Sequence, residues 1–318
     1  ADNPYTVAGD VSTLDQLTNG RSGGNSGTGY VDSGTRGLGQ DGLAEHDSRY
    51  DRSDDFLDLS YKLWEGSWED GAVVADKARR IHVLPDKVHV VSHEGPFYRT
   101  NAIHMSAPSP QRTPVLFQAG TSARGLRFAG QHAEGIFIGA RTPEAARDAS
   151  RKLRQAAVDA GRRPEDIKIY VGVAVVPGRT EAEARAKYAE YLAHASPEGG
   201  LAHFAASTGV DFAKYGLDEP IAFGNTNAIQ SAAQAAQQQG LTTRCKLLEQ
   251  FSLGSRYTTI GGDASQVADE LERWIDVGEI DGFNLTRIVV PETWEDFANL
   301  VVHEMADRGR HLPPYTAS

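Results

Sequence analysis

The sequence predicts an α/β fold built on a parallel sheet. Three observations carry this. From Val115 onward, short apolar runs alternate with longer segments of helical periodicity, the order that parallel strands joined by crossover helices require. The run Val115-Leu116-Phe117 is unbroken by polar residues, as in a strand covered on both faces. Helix-start residues also follow the strand-like runs directly, among them Ser122, Thr142 with Pro143, and Thr180.

Taken in order, residues 6–18 read as a helix, a candidate strand follows Gly20, and a second helix covers residues 48–64. Residues 70–113, with alternating Val88, Val90 and Phe97, read as a hairpin excursion. Residues 115–119 form a strand and 123–132 a helix; 135–139 form the next strand. Thr142 caps a helix that has Pro143 at its first position and runs to about Gly161. Residues 167–176 are a long β-rich run, after which Thr180 and Glu183 form a capping box. The stretch 180–262 is mostly helical without a clear strand and reads as an insertion, with Gln230–Gln239 as a solvated Ala/Gln helix face. Asp263 and Gln266 repeat the capping box ahead of a helix holding Leu271 and Trp274. Residues 284–290 are the last strand and 293–308 the last helix. No internal repeat is present, and residues 1–318 read as a single domain.

The first strand-to-helix corner, Gly120-Thr121-Ser122, is the most informative stretch. A helix N-terminus carries unsatisfied N–H groups and a partial positive charge, which suits a phosphate. Gly120 lets backbone approach an anion, and two hydroxyls add donors. No Gly-Lys-Ser/Thr follows, and the G-x-G-x-x-G spacing is missing, so this is neither a Walker loop nor a dinucleotide turn. Read alone, such a corner is more often just a capped helix.

Its context adds more. Pro108-Ser109-Pro110-Gln111 followed by Pro114-Val115-Leu116-Phe117-Gln118-Ala119-Gly120-Thr121-Ser122 resembles flavin-dependent monooxygenases of the bacterial-luciferase superfamily. The similar branch is that of nitrilotriacetate and dibenzothiophene-sulfone monooxygenases. Ser12-Thr13-Leu14-Asp15-Gln16-Leu17-Thr18-Asn19-Gly20-Arg21, Glu45-His46-Asp47-Ser48-Arg49-Tyr50-Asp51-Arg52 and the stretch 56–64 agree in the same order. The resemblance implies a TIM-type (β/α)8 barrel with a helical insertion, and oxygenation of a small organic molecule, organosulfur or amine-carboxylate, by reduced FMN and O2. It implies a separate NAD(P)H:FMN reductase as partner, since no nucleotide fingerprint is present here. It places Tyr50, in a block with His46, and the Gly120-Thr121-Ser122 corner at the FMN phosphate, and Asn25 and Thr28 at the isoalloxazine. It supplies no catalytic residue. A homo-oligomer is expected.

Two departures from the family pattern stand out. An eight-stranded barrel needs more strands than these residues offer, so the chain reads as N-terminally incomplete relative to the family. The expected aromatic and apolar fourth strand is replaced by Gly20-Arg21-Ser22-Gly23-Gly24-Asn25-Ser26-Gly27-Thr28-Gly29-Tyr30, and nine glycines fall between Gly20 and Gly42. Ser22, Gly24, Ser26 and Gly27 cannot fill a barrel wall, so underpacking is expected there. This keeps open an alternative reading: a non-catalytic or repurposed barrel fragment that retains only the phosphate corner.

Composition narrows the classes. A net charge of −11 opposes binding to nucleic-acid phosphates or an anionic membrane. No run approaches the length that spans a bilayer, no export signal is visible, and one cysteine, Cys245, fits a reducing compartment. A cytoplasmic location is expected. His82, His89, His93 and His104 lack a completing Cys or carboxylate cluster, so no metal site is expected.

Overall fold

The computed structural model describes residues 3–29, 31–223, 229, 232–233, 236–237, 240–251, 253 and 257–310. Tyr30 and parts of the 230–239 helix face therefore lie outside the described residues. Helix α1 (Pro4–Leu17) starts at Asn3, whose side chain accepts the Tyr5 N–H. Strand β1 (Gly23–Asn25), a short helix α2 (Asp32–Gly37) and the long helix α3 (His46–Gly66) follow. Two antiparallel hairpins come next, β2 (Val73–Asp76) with β3 (Ile81–Val83) and β4 (Val91–Glu94) with β5 (Arg99–Ala102).

The alternating part runs β6 (Val115–Gln118), α4 (Ala123–His132), β7 (Gly135–Ile138), α5 (Pro143–Asp159) and β8 (Lys168–Gly178). Helices α6 (Glu181–Ala193) and α7 (Pro197–Thr208) and the helix Arg244–Gln250 lead to β9 (Thr258–Asp263). The helix Ala264–Gly278 and β10 (Gly282–Thr286) complete the sheet.

Every pairing in the main sheet is parallel, in the order β1-β6-β7-β8-β10, with β9 also on β8. The fold is α/β, a parallel sheet flanked by helices. β8 organises it. β7 and β10 overlap at Tyr170 and Val171, so they occupy opposite edges of β8, whereas β9 pairs with Val173 to Gly178 beyond β7 on the same edge. The main core fills the outer face, where Ile136, Ile169, Val171 and Val173 meet Leu153, Leu271 and Trp274, all buried. On the other face Phe117 and Phe137 stack at 5.4 Å, and Phe137 lies 6.0 Å from Tyr170.

Several expected elements change. β9 lies where the insertion was expected to carry no strand; only a short β-branched run marks it. The Asp263–Gln266 capping box is reciprocal, but at Thr180 only half a box forms, because the Glu183 carboxylate accepts the Arg179 N–H instead. β10 stops at Thr286, since Pro291 lies ahead and Thr293 Oγ1 accepts the Ile288 and Val289 N–H groups. The last helix divides into Glu292–Asp296, a π turn Phe297–Val301, and Val302–Asp307.

The glycine-rich stretch after Gly20 does form a strand, because ladder hydrogen bonds need only backbone. Gly23, Gly24 and Asn25 pair with Val115, Leu116 and Phe117, and Ser26 N–H donates to Phe117 O at 2.8 Å. Ser22 corrects the underpacking expectation: it is buried, and its hydroxyl donates to Asp15 Oδ1 at 2.8 Å. Asp15 also accepts Gln111 N–H at 3.0 Å and Gln111 Nε2 at 2.6 Å. Burial pushes the Asp15 carboxyl up, but these Gln111 and Ser22 hydrogen bonds outweigh it and hold the group at about 2. Gly24 differs. It borders a cavity of about 470 Å³ lined by Val11, Leu57, Trp64, Pro114 and Leu116 among others, and an added Cβ would meet only Leu116 Cδ2, at 3.5 Å.

Gly24→Leu is therefore expected to raise stability by about 0.5–2 kcal/mol, the usual scale of cavity filling. Ser22→Phe is expected to lower it by about 1–3 kcal/mol, through a lost hydrogen bond and overpacking. Urea midpoints decide both. Because the folded Asp15 lies below its ordinary 3.8, its contribution is full above about pH 4 and lost as pH falls through about 2. Asp15→Asn should weaken the protein at pH 7 and flatten that acid limb.

Candidate functional site

The corner after β6 gathers groups from three segments. Ser122 is the N-cap of α4, its Oγ accepting the Gly125 N–H at 3.1 Å. Tyr50, on the first turns of α3, turns its hydroxyl toward the corner, where Ser122 and Thr28, which follows β1, both act to lower its pKa. Glycines make this approach possible. A Cβ on Gly120 would collide with Tyr50 Oη, and one on Gly125 would stand 2.9 Å from it and 2.8 Å from Gly120 O.

Tyr50 is 4% exposed and is fixed on both sides. Its ring lies 5.5 Å from Phe128 and 5.3 Å from His46, and the Arg124 guanidinium sits 5.4 Å from its centroid. Arg124 is buried and donates to Asp51 at 2.9 Å and to Asp54. Asp54 also bonds His132 Nε2 at 3.0 Å, and His132 Nδ1 lies 3.1 Å from Tyr61 Oη. Burial pushes Arg124 down, but the two carboxylates raise it above its ordinary value. Burial pushes Asp54 up, but His132 and Arg124 hold it below the usual carboxylate range. Burial raises the Tyr50 phenol, with Ser122, Thr28, Arg49 and Arg124 pulling back part of the way. It is a neutral donor at physiological pH.

Of the residues singled out in the sequence, Tyr50, Ser122, Thr28 and Gly120 come together here. Thr121 turns to a neighbouring cavity. His46 is buried against the Tyr50 ring, with Nδ1 2.6 Å from Asp47 Oδ1, and supports the corner through that ring. Asn25 stands exposed on β1, opposite Phe117. Gln118 and Arg124 carried no signal in the sequence. Gln118 is buried just below the corner, and its Oε1 has no hydrogen-bond partner among the described residues.

The neighbouring cavity, about 220 Å³, lies at the C-terminal ends of β6 and β7. Ala119, Thr121, Phe137 and Asn284 line it from the sheet, Phe204 and Phe251 from the helical insertion, with Arg141 and Tyr257 beside them. This is the end of a parallel sheet where ligands bind.

Three of the histidines make hydrogen bonds within the fold. His93 Nε2 bonds buried Asp55 at 2.8 Å while Lys62 Nζ lies 2.9 Å from its Nδ1, His104 Nε2 pairs with Ser12, and His89 with Glu69. Among the described residues no group of three or more His, Cys, Asp or Glu is arranged to hold a metal, and no helix is long and apolar enough to cross a membrane.

The family model described as luciferase-like monooxygenase matches residues 1–279. The dimethyl-sulfide monooxygenase of Hyphomicrobium sulfonivorans is 42% identical over 316 residues, covering 98% of this chain and 66% of that protein. The dibenzothiophene-sulfone monooxygenase of Rhodococcus erythropolis is 37% identical, covering 98% and 70%. A crystal structure of riboflavin lyase with modified FMN and riboflavin superposes with a TM-score of 0.93 at 36% identity, covering 99% of this chain and 70% of that one. The chain thus spans about two thirds of the length of the curated relatives it matches. It belongs to the luciferase-like monooxygenase family.

Gly120→Ala is expected to cost about 1–3 kcal/mol by forcing Tyr50 aside. Tyr50→Phe removes the colliding oxygen, so the double variant should lose clearly less than the sum of the two single losses. A double-mutant cycle on urea midpoints reads this coupling; strict additivity would place the tyrosine hydroxyl away from the corner.

Proposed function

We propose that this luciferase-like chain is the oxygenase of a two-component system. It takes reduced FMN from a separate NAD(P)H:FMN reductase and oxygenates a small organic molecule with O2, an organosulfur or amine-carboxylate compound. The observation that carries this reading is the convergence of Tyr50, Ser122 and Thr28 on a glycine corner at the C-terminal end of β6.

The residues fit a phosphomonoester. A neutral phenol, two hydroxyls and the N-terminal turn of α4 all supply donors. The nearby carboxylates Asp51 and Asp54 both pair with Arg124, which offsets part of their repulsion of an anion. The partnerless Gln118 Oε1 offers an acceptor to a hydroxyl of the sugar-alcohol chain. Bound there, reduced FMN would supply the reactivity toward O2. The chain's own work is then to orient and to exclude water. Tyr50, Ser122 and Thr28 hold the phosphate end, while Phe137, Phe204, Phe251 and Tyr257 wall the cavity at the mouth with apolar surface.

One observation favours the second reading, a binding protein without turnover. The open space beside Gly24 leaves β1, and with it Asn25, without side-chain packing on the helix side.

Fluorescence titration separates the two readings when followed by coupled NADH consumption with an added flavin reductase. FMN should bind more tightly than riboflavin. Tyr50→Phe and Ser122→Ala should each weaken FMN by about 0.5–1.5 kcal/mol, the net scale of one hydrogen bond, and leave riboflavin unchanged. Equal losses for both flavins would move the phosphate away from this corner. FMN binding without oxygenated product from any organosulfur or amine-carboxylate compound would favour the second reading.

A further inference from the structure

Arg141 is the only charged residue among the described residues that line the 220 Å³ cavity at the sheet mouth. Its guanidinium makes no hydrogen bond or ion pair with any described residue, in a chain holding 43 acidic against 32 basic side chains. Two other arginines near the sheet are matched to carboxylates: Arg124 to Asp51 and Asp54, Arg154 to Asp281. An arginine left without a counter-charge against apolar walls carries a desolvation cost that an incoming anion would relieve. Burial accordingly lowers its basicity.

The surroundings reinforce the positive field. Arg141 immediately precedes Thr142, the N-cap of α5, so it stands at the positive end of a seventeen-residue helix. Thr121, across the cavity, adjoins the N-terminus of α4. The backbone is also held: Thr258 Oγ1 donates to Ala140 O at 3.4 Å and Arg141 O at 3.2 Å, tying the turn to β9. Phe137, Phe204, Phe251 and Tyr257 supply apolar walls. A cavity of about 150 Å³ accepts a benzene ring, so this one has room for a ring and a small charged group.

We propose that Arg141 is the anchor for an anionic group of the substrate, so that the molecule accepted is an organic anion with an apolar body, a carboxylate or a sulfonate. This rests on the oxygenase reading above, which it narrows. Arg141 binds and orients; it takes no part in moving protons or electrons.

The test uses the full chain with benzoate and its neutral isostere benzamide as probes, titrated by calorimetry with and without FMN. Benzoate should bind at least tenfold more tightly than benzamide. Arg141→Met should remove that preference by weakening benzoate alone, Arg141→Lys should restore part of it, and FMN affinity should stay within about twofold. Circular dichroism melting verifies that both variants fold. Equal binding of the two probes to the parent chain, or a preference that survives Arg141→Met, overturns the inference. So does a loss of FMN affinity in Arg141→Met, which would assign the guanidinium to the flavin. The two levels separate cleanly. A chain that binds FMN without distinguishing the probes overturns only the substrate anchor. A chain that selects benzoate but binds no FMN overturns the oxygenase reading and leaves the anion site standing.

Discussion

The convergence at the β6 corner depends on how α3 is held against α4, and one buried guanidinium does that. Arg124 leaves the first turn of α4, takes two carboxylates from α3, and lies over the ring of Tyr50 between them. Two helices are thereby locked in one register, with the tyrosine hydroxyl delivered to Ser122. A buried charge removed from one partner leaves the other uncompensated, so this bracket is stiff. It also offsets part of the negative charge near the corner. The same three ionic groups thus settle packing and electrostatics together.

Small residues in this protein have two distinct uses. At Gly120 and Gly125 the missing Cβ is space that another group needs, and the tyrosine hydroxyl takes it. Gly135 does the same under the Phe117 ring, and Gly172 under Tyr257. At Gly24 the space is not taken up, and a cavity results. Composition cannot separate these cases, because a glycine looks alike in sequence whether a ring or nothing lies above it.

That limit explains what was legible. The helix at 123–132, the caps at Ser122 and Thr142, and the Asp263–Gln266 box were readable because caps obey short-range rules of backbone satisfaction. Tyr50 and the corner were readable only through family resemblance; nothing local brings residue 50 to residue 122. β9 was missed because its few residues follow a long helical stretch, and β1 was doubted because its side chains argue against a strand that backbone pairing nonetheless forms. Arg141 sits in an Ala-Arg-Thr-Pro turn that reads as solvent-facing. Its position over a cavity arises from helices contributed by the insertion about sixty residues later and more.

The eleven residues of β8 have a consequence in time rather than in space. Their amides and carbonyls are engaged by β10 along one edge and by β7 and then β9 along the other, and Val171, Val173 and Val175 are almost fully shielded from water. Their exchange with solvent deuterium requires nearly global opening, whereas the helices over the mouth, with their separate apolar cluster, can open by a smaller step. The cover can therefore open without disturbing the strand beneath it, which keeps the corner and the mouth in place.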